Sequence, residues 1–267
     1  RYHAGGRSRV PRWRGPGSGA GGVMTRILVF SDIHANLVAL EAVLEAAGEV
    51  SAVWNLGDVV GYGPKPRECV ERVIGLNPTA SLIGNHDWAA IGRLALDEFN
   101  PVARFATYWT TAHLGAEHMR YLEGLPNRVI EDDWMLVHGS PRHPVWEYVY
   151  TARVAHQNFE FFDAQVCFLG HTHIQLYISE EMAERGVPPI HPSDGDILDM
   201  GTTRYIVNPG SVGQPRDNDP MAAFAIYEPD LRRVTFRRVV YDIARTQAQM
   251  EEAGLPRPLI TRLSLGV

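Results

Sequence analysis

Apolar residues come in short bursts along this chain, and most bursts end in polar ones. "RILVFSD" (26–32) is such a run, the pattern of a strand buried on both faces. "NLVALEAVLEAAG" then changes period. Leu37, Leu40, Leu44 and Ala47 fall on one helical face, and Gly48 supplies a stop. "SAVWNLGD" (51–58) predicts the next strand and "KPRECVERVIG" the next helix, with Pro66 in its first turn. "ASLIGNHD" (80–87) reads as a third strand. This alternation predicts right-handed crossovers and a parallel sheet. Residues 88–124 read as helical, with Asn100-Pro101 as a cap followed by a first-turn proline. "WMLVHGS" (134–140) and "QVCFLGHTH" (165–173) are again strands with polar ends. "LYIS", "YIVNPGS", "AFAIYEP" and "RVTFRRVVYD" then follow without long helices between them, which predicts an antiparallel sheet. "IARTQAQMEEAG" closes as a helix, and no repeat is visible. The expected fold class is α/β: two sheets face to face with helices outside, a four-layer α/β/β/α sandwich forming one domain over residues 24–267.

Composition narrows the function classes. The chain has 267 residues, 45% of them hydrophobic, enough to bury a sizeable core. Its formal charge is −6, but residues 1–23 hold five arginines, seven glycines and no acid. The remainder carries 20 basic and 31 acidic residues, a charge near −11. A nucleic-acid duplex is therefore a poor partner. The Gly/Arg-rich tail is expected to be disordered. Met24 reads as a natural start, so the tail is expected to be upstream translation or an appended remnant, or else a nonspecific basic arm. The tail has no secretory apolar core, and no stretch approaches the 18 or so apolar residues of a membrane span. Cys69 and Cys167 sit far apart in apolar segments and read as small core residues. A reducing cytoplasm fits.

The candidate chemistry lies where strands end. Five predicted strands finish in Asp32-x-His34, Asp58, Asn85-His86-Asp87, His138 and His171-x-His173. In open α/β sheets, ligands bind outside the carboxyl ends of the strands. Two carboxylates, four imidazoles and one amide oxygen make seven possible ligands, more than one tetrahedral ion needs. That number suits two divalent ions sharing a carboxylate. Nitrogen and oxygen donors without thiolate favour manganese, iron, zinc or nickel over a structural zinc. In extended chain, residues i and i+2 face the same way, so each D-x-H or H-x-H pair is expected to reach one site. Asn85 and His86 then point differently. With Asn85 on a metal, His86 is left free as a general acid. For each residue alone, a cap or turn is the plain alternative.

Taken in order, "SDIHAN" (31–36), "GDVVG" (57–61), "GNHD" (84–87), "VHGS" (137–140) and "GHTH" (170–173) resemble the calcineurin-like metallophosphoesterases. The resemblance runs from residue 26 to about 245, and "NPGSVGQPRD" (208–217) is similar to the bacterial branch with small phosphodiesterases and asymmetric diadenosine-tetraphosphate hydrolases. It implies the metallophosphoesterase type of sandwich. It also implies one metal on Asp32, His34, Asp58 and His173, and a second on Asp58, Asn85, His138 and His171. By the same resemblance a hydroxide between the ions attacks phosphorus and His86 protonates the leaving oxygen. The implied substrate is a small phosphorylated compound: a phosphodiester, or a nucleotide such as diadenosine tetraphosphate. The alternatives are a phosphomonoesterase, or a metal-binding scaffold that acts through protein partners.

The sequence departs from the protein-phosphatase branch, whose G-D-x-V-D-R-G carries a phosphate-gripping Arg. Here "GDVVGYG" has Gly61 and Tyr62 where that motif has its second Asp and its Arg. The grip must come from elsewhere. Arg142 and Arg216 are candidates through bidentate contacts, against a reading as solvated loop arginines. Asn36 is either a phosphate contact or the N-cap before Leu37. Asp87 either orients His86 or serves a turn. Trp146 and Tyr148 either stack on a nucleobase or belong to a core or interface.

Overall fold

A computed structural model describes residues 24–267; the tail of residues 1–23, expected to be disordered, lies outside the described residues. The first half runs β1 (Ile27–Phe30), α1 (Leu37–Ala47), β2 (Ala52–Asn55), α2 (Pro66–Leu76), β3 (Ala80–Ser81), α3 (Asn85–Ala90), α4 (Pro101–His113) and α5 (Ala116–Glu123). The second half runs β4 (Arg128–Ile130), β5 (Trp134–Val137), α6 (Ala152–Phe159), β6 (Val166–Phe168), β7 (Gln175–Ser179), α7 (Glu180–Glu184), β8 (Ile197–Asp199), β9 (Tyr205–Pro209), β10 (Ala222–Glu228), β11 (Arg233–Val239), α8 (Ile243–Glu252) and α9 (Arg257–Arg262).

One sheet has the order β3-β2-β1-β10-β11-β8 and the other β4-β5-β6-β9-β7. Strand β1 shows how the layers form. Ile27 and Val29 face the second sheet, with Trp54, Phe168 and Val207, while Leu28 and Phe30 face the helices, with Leu40 and Val43. A four-residue apolar run with no polar face is thereby buried on both sides. Helices α6 and α7 cover the outer face of the second sheet through Ala155, Phe159 and Ala183. These are the expected four layers.

Three expectations are corrected. The late strands do not make one antiparallel sheet. β10 and β11 join β1, and β9 lies parallel to β6 in the other sheet, so both sheets are mixed. The third strand is only two residues long. Gly84 is extended, and Asp87 Oδ2 accepts its N–H, so Asn85-His86-Asp87 form the first turn of α3 rather than a strand end. On α1 the buried face is Ala39, Leu40, Val43 and Ala47, with Leu37 and Leu44 half-buried at its edge. Asn100 caps α4, accepting from the Val102 and Ala103 amides, as the sequence implies. Cys69 and Cys167 are buried and free, and burial pushes both thiols up. Among the described residues, no helix is long and apolar enough to cross a membrane.

Candidate metal centre

The loops leaving β1, β2, β5 and β6, together with the start of α3, meet at one edge of the sandwich. Their backbones are strained. Asp32 (φ 56), His34 (φ 47), Asp58 (φ 54), His171 (φ 65) and His173 (φ 61) all lie in the left-handed region. Each such residue costs on the order of 1–2 kcal/mol, and strain of this kind persists only where surrounding bonds over-determine it. Those bonds are present. Asp32 N–H donates to the Gly57 carbonyl, His34 N–H to Asp58, and Ala35 N–H to Val59. The amides of Val212 and Gly213 donate to the carbonyls of Ser31 and Asp32. The i, i+2 pairs therefore converge by turning, not by the extended alternation the sequence argument assumed.

Close approach explains two motif glycines. A Cβ on Gly84 would stand 2.0 Å from Asp58 Oδ1, and one on Gly170 would stand 1.9 Å from Ser31 Oγ and 2.8 Å from Asp32 Oδ2. Glycine at each place lets a loop pass a carboxylate.

All seven candidate ligands are buried, and their donor atoms converge. Asp32, His34 and His173 form one group, and Asp58, His138 and His171 another, each with ligand atoms within 4.8 Å of one another. Asp58 joins the two groups: its Oδ2 is 3.6 Å from His34 Nε2 and 3.3 Å from His138 Nε2. His34 Nε2 lies 3.0 Å from His173 Nε2, and Asn85 Oδ1 lies 3.1 Å from His138 Nε2.

This donor set fits cations. Asp32 Oδ1 and Asp58 Oδ2 are buried without a hydrogen-bond partner, an expensive condition unless a positive charge joins them. Their other oxygens are tied down, Asp32 Oδ2 by the His171 amide and Asp58 Oδ1 by the His86 amide. The imidazoles are oriented from behind. His138 Nδ1 faces the Leu56 carbonyl at 2.9 Å and His173 Nδ1 faces the Gln214 carbonyl at 2.6 Å, which aims both Nε2 atoms inward. His171 is turned round: its Nε2 faces the Trp146 carbonyl, leaving Nδ1 for the site.

Charge and burial shift these groups in opposite directions. Burial works to raise Asp32 and Asp58, but the surrounding imidazoles, led by His173 and His138 respectively, together outweigh it and hold both carboxyls low. Burial works to lower His138, yet the Asp58 charge lifts it to about 9. Burial pushes His171 and His173 down to about 3 and takes His86 well below its ordinary value.

His86 sits beside the cluster, its ring 4.9 Å from His34, 4.5 Å from Tyr62 and 5.3 Å from Phe99. It is 6% exposed, at the mouth. The remaining predicted residues divide. Asp87 does not orient the His86 ring. Its carboxylate accepts the amides of Asp58, Val60 and Gly84, and so fixes the loop that carries Asp58. Asn36 serves as the α1 cap: it accepts from Ala39 N–H and the Thr246 hydroxyl and donates to the Gly213 carbonyl, and it is buried. Arg142 is engaged by Glu147, which also binds Ser140 and Asn158, so it braces its own loop. Arg216 does reach the site, its guanidinium 5.7 Å above the Tyr62 ring.

Trp146, Tyr148 and Tyr150 are half-exposed rather than core, and Tyr148 stacks on His171 at 4.0 Å. Two residues of the site were missed from sequence. Gln214 and Arg262 both stand near Arg216; the first lies inside a quoted motif, while Arg262 comes from a C-terminal helix that carries no motif.

Comparison with known proteins agrees with this geometry. The profile of the calcineurin-like phosphoesterase superfamily domain matches residues 25–230. An uncharacterized protein of Methanocaldococcus jannaschii is 37% identical over 252 residues, 91% of this chain and 99% of that protein. The crystal structure of a metallophosphoesterase from Sphaerobacter thermophilus is 66% identical, covering 92% of this chain and all of its own, with a TM-score of 0.87. A hypothetical protein from Pyrococcus horikoshii, 21% identical, shares the fold with a TM-score of 0.72 over 91% of this chain and 99% of its own. The four layers and the ordered loops at their edge thus have a common explanation: the chain belongs to the calcineurin-like phosphoesterase superfamily.

Proposed function

We propose that this protein hydrolyses phosphoesters at a centre of two divalent ions, acting on a phosphodiester or a nucleotide anhydride such as diadenosine tetraphosphate. The observation that carries this reading is Asp58 Oδ2, buried, unpartnered and set between His34 and His138. In this reading Asp32, His34, Asp58 and His173 hold one ion, and Asp58, Asn85, His138 and His171 the other. Manganese suits these oxygen and nitrogen donors, with iron, zinc and nickel next. When bound, such ions supply positive charge for the phosphate and lower the pKa of a coordinated water.

The chain's own residues do the rest. His86 gives a proton to the leaving oxygen from the Tyr62 side of the cluster. Burial keeps that imidazole neutral in the empty protein; a phosphate anion beside it works the other way and raises its proton affinity. Arg216 binds the phosphate in place of the arginine that Gly61 and Tyr62 lack. The half-exposed Trp146, Tyr148 and Tyr150 give an organic group beside the phosphate a surface to lie on. That rim supports a diester or nucleotide over a bare phosphomonoester.

The test is His86→Ala in manganese-loaded protein. Metal content should hold, and turnover of a phosphodiester with a poor, alkoxide-type leaving group should fall by about 10²-fold or more. Unchanged turnover would remove His86 from the acid role. Arg216→Ala should raise KM more than it lowers kcat.

A further inference from the structure

Arg216 and Arg262 come from different parts of the chain, the loop after β9 and the last residue of α9. Both guanidinium groups donate to one neutral atom, Gln214 Oε1, at 2.8 and 3.3 Å. Neither forms an ion pair with any described carboxylate, whereas Arg238, in the neighbouring β11, is paired with Asp217. Arg216 Nε is buried with no partner at all. Two like charges sharing a single amide oxygen repel one another and lack the anion that would hold them together. The pair also touches the metal cluster. Gln214 presents its backbone carbonyl to His173, and Arg216 covers Tyr62, whose ring lies 4.7 Å from His34. Beyond Arg262 a cavity of about 360 Å³ opens, lined by Tyr62, Asn100, Val102, Leu259 and Leu265.

We propose that Arg262, together with Arg216 reaching across from the scissile phosphate, forms a second phosphate subsite beside the metal centre, so that the enzyme selects substrates carrying another phosphate next to the scissile one. The organic group attached to that phosphate lies in the cavity beyond Arg262. The proposal rests on the phosphoesterase reading and narrows it to organic pyrophosphates and longer polyphosphates. Arginine suits the task because its planar fork bonds two phosphate oxygens at once. The cavity wall is mainly apolar, apart from Asn100, Thr261 and the guanidinium, and so takes a base or a similar ring.

The experiment measures binding of inorganic phosphate and of pyrophosphate to manganese-loaded protein by calorimetry, for wild type, Arg262→Gln and Arg262→Lys. Turnover of bis(p-nitrophenyl) phosphate is followed in the same preparations. Wild type should prefer pyrophosphate, and Arg262→Gln should cut that preference on the order of ten-fold or more. Arg262→Lys, which keeps the charge and loses the fork, should fall between them. An unchanged preference in Arg262→Gln overturns the proposal. So does an equal weakening of both anions, which would make Arg262 a prop for Arg216. If Arg262→Gln does not fold, the lysine variant decides: a preference equal to wild type refutes the subsite. Loss of the preference in protein that never cleaves the diester leaves the subsite standing and removes the phosphoesterase reading. Cleavage with an unchanged preference does the reverse.

Discussion

The electrostatics of the cluster predict how the metal-free protein responds to pH. His138 is raised from 6.5 to about 9: burial works to lower it, but the charge and hydrogen bond of Asp58, the Asp32 charge and the Leu56 carbonyl together outweigh burial. A histidine whose folded pKa is raised adds stability below its unfolded pKa. That stability is lost as pH climbs through the folded value. A shift of this size is worth about 3 kcal/mol, on the order of a third of a typical domain's stability. Chelator-treated protein should therefore lose about 3 kcal/mol between pH 6.5 and 9. His171 and His173, held at about 3 by burial, act below pH 6.5, where their stability falls as pH falls. Asp87, pushed up to about 7 by burial and by Asp58, slopes the other way between pH 4 and 7 and offsets part of that acid limb. The alkaline limb is thus the clearer signal. Urea unfolding followed by tryptophan fluorescence from pH 5 to 9.5 would measure it. His138→Gln should remove it, and saturating manganese should flatten it, because an ion on Nε2 replaces the proton. A wild-type profile flat from pH 6.5 to 9, or a limb that survives in His138→Gln, would refute the reasoning.

Two further substitutions test the supporting residues. Asp87→Ala leaves the amides of Asp58, Val60 and Gly84 without an acceptor, at about 1–3 kcal/mol each. Unfolding free energy should drop by on the order of 3–9 kcal/mol with loss of bound metal; a drop below about 1 kcal/mol would show that the loop does not depend on it. Asn36→Ala removes the α1 cap and should cost about 1–2 kcal/mol while KM stays put. A rise in KM without loss of stability would return Asn36 to the substrate.

Much of the site was legible because its motifs are local and ordered. Asp32, Asp58, His138 and His171 each follow an apolar run, and the runs become β1, β2, β5 and β6. What the residues alone did not give was geometry. The D-x-H and H-x-H pairs looked like extended chain, yet left-handed turns bring them together, the first held through Gly57, Val212 and Gly213 and the second through the His171 amide on Asp32 and the Arg216 amide on the His173 carbonyl. Asn85-His86-Asp87 looked like a strand end because Leu82 and Ile83 are apolar; the Asp87 carboxylate on Gly84 starts a helix instead. Arg142 and Asn36 had the right chemistry, but Glu147 and the α1 amides claim them, and such partners are visible only in three dimensions. Arg262 had no motif to betray it, since its neighbour Gln214 is 48 residues away.

The most direct measurement of the central claim is a metal titration. Chelator-stripped protein would be loaded stepwise with manganese while bound ion and hydrolysis of bis(p-nitrophenyl) phosphate are followed together. The shared Asp58 predicts turnover that rises to a plateau at two ions per chain. A plateau at one ion, or full turnover in the stripped protein, would contradict a centre built on that bridge.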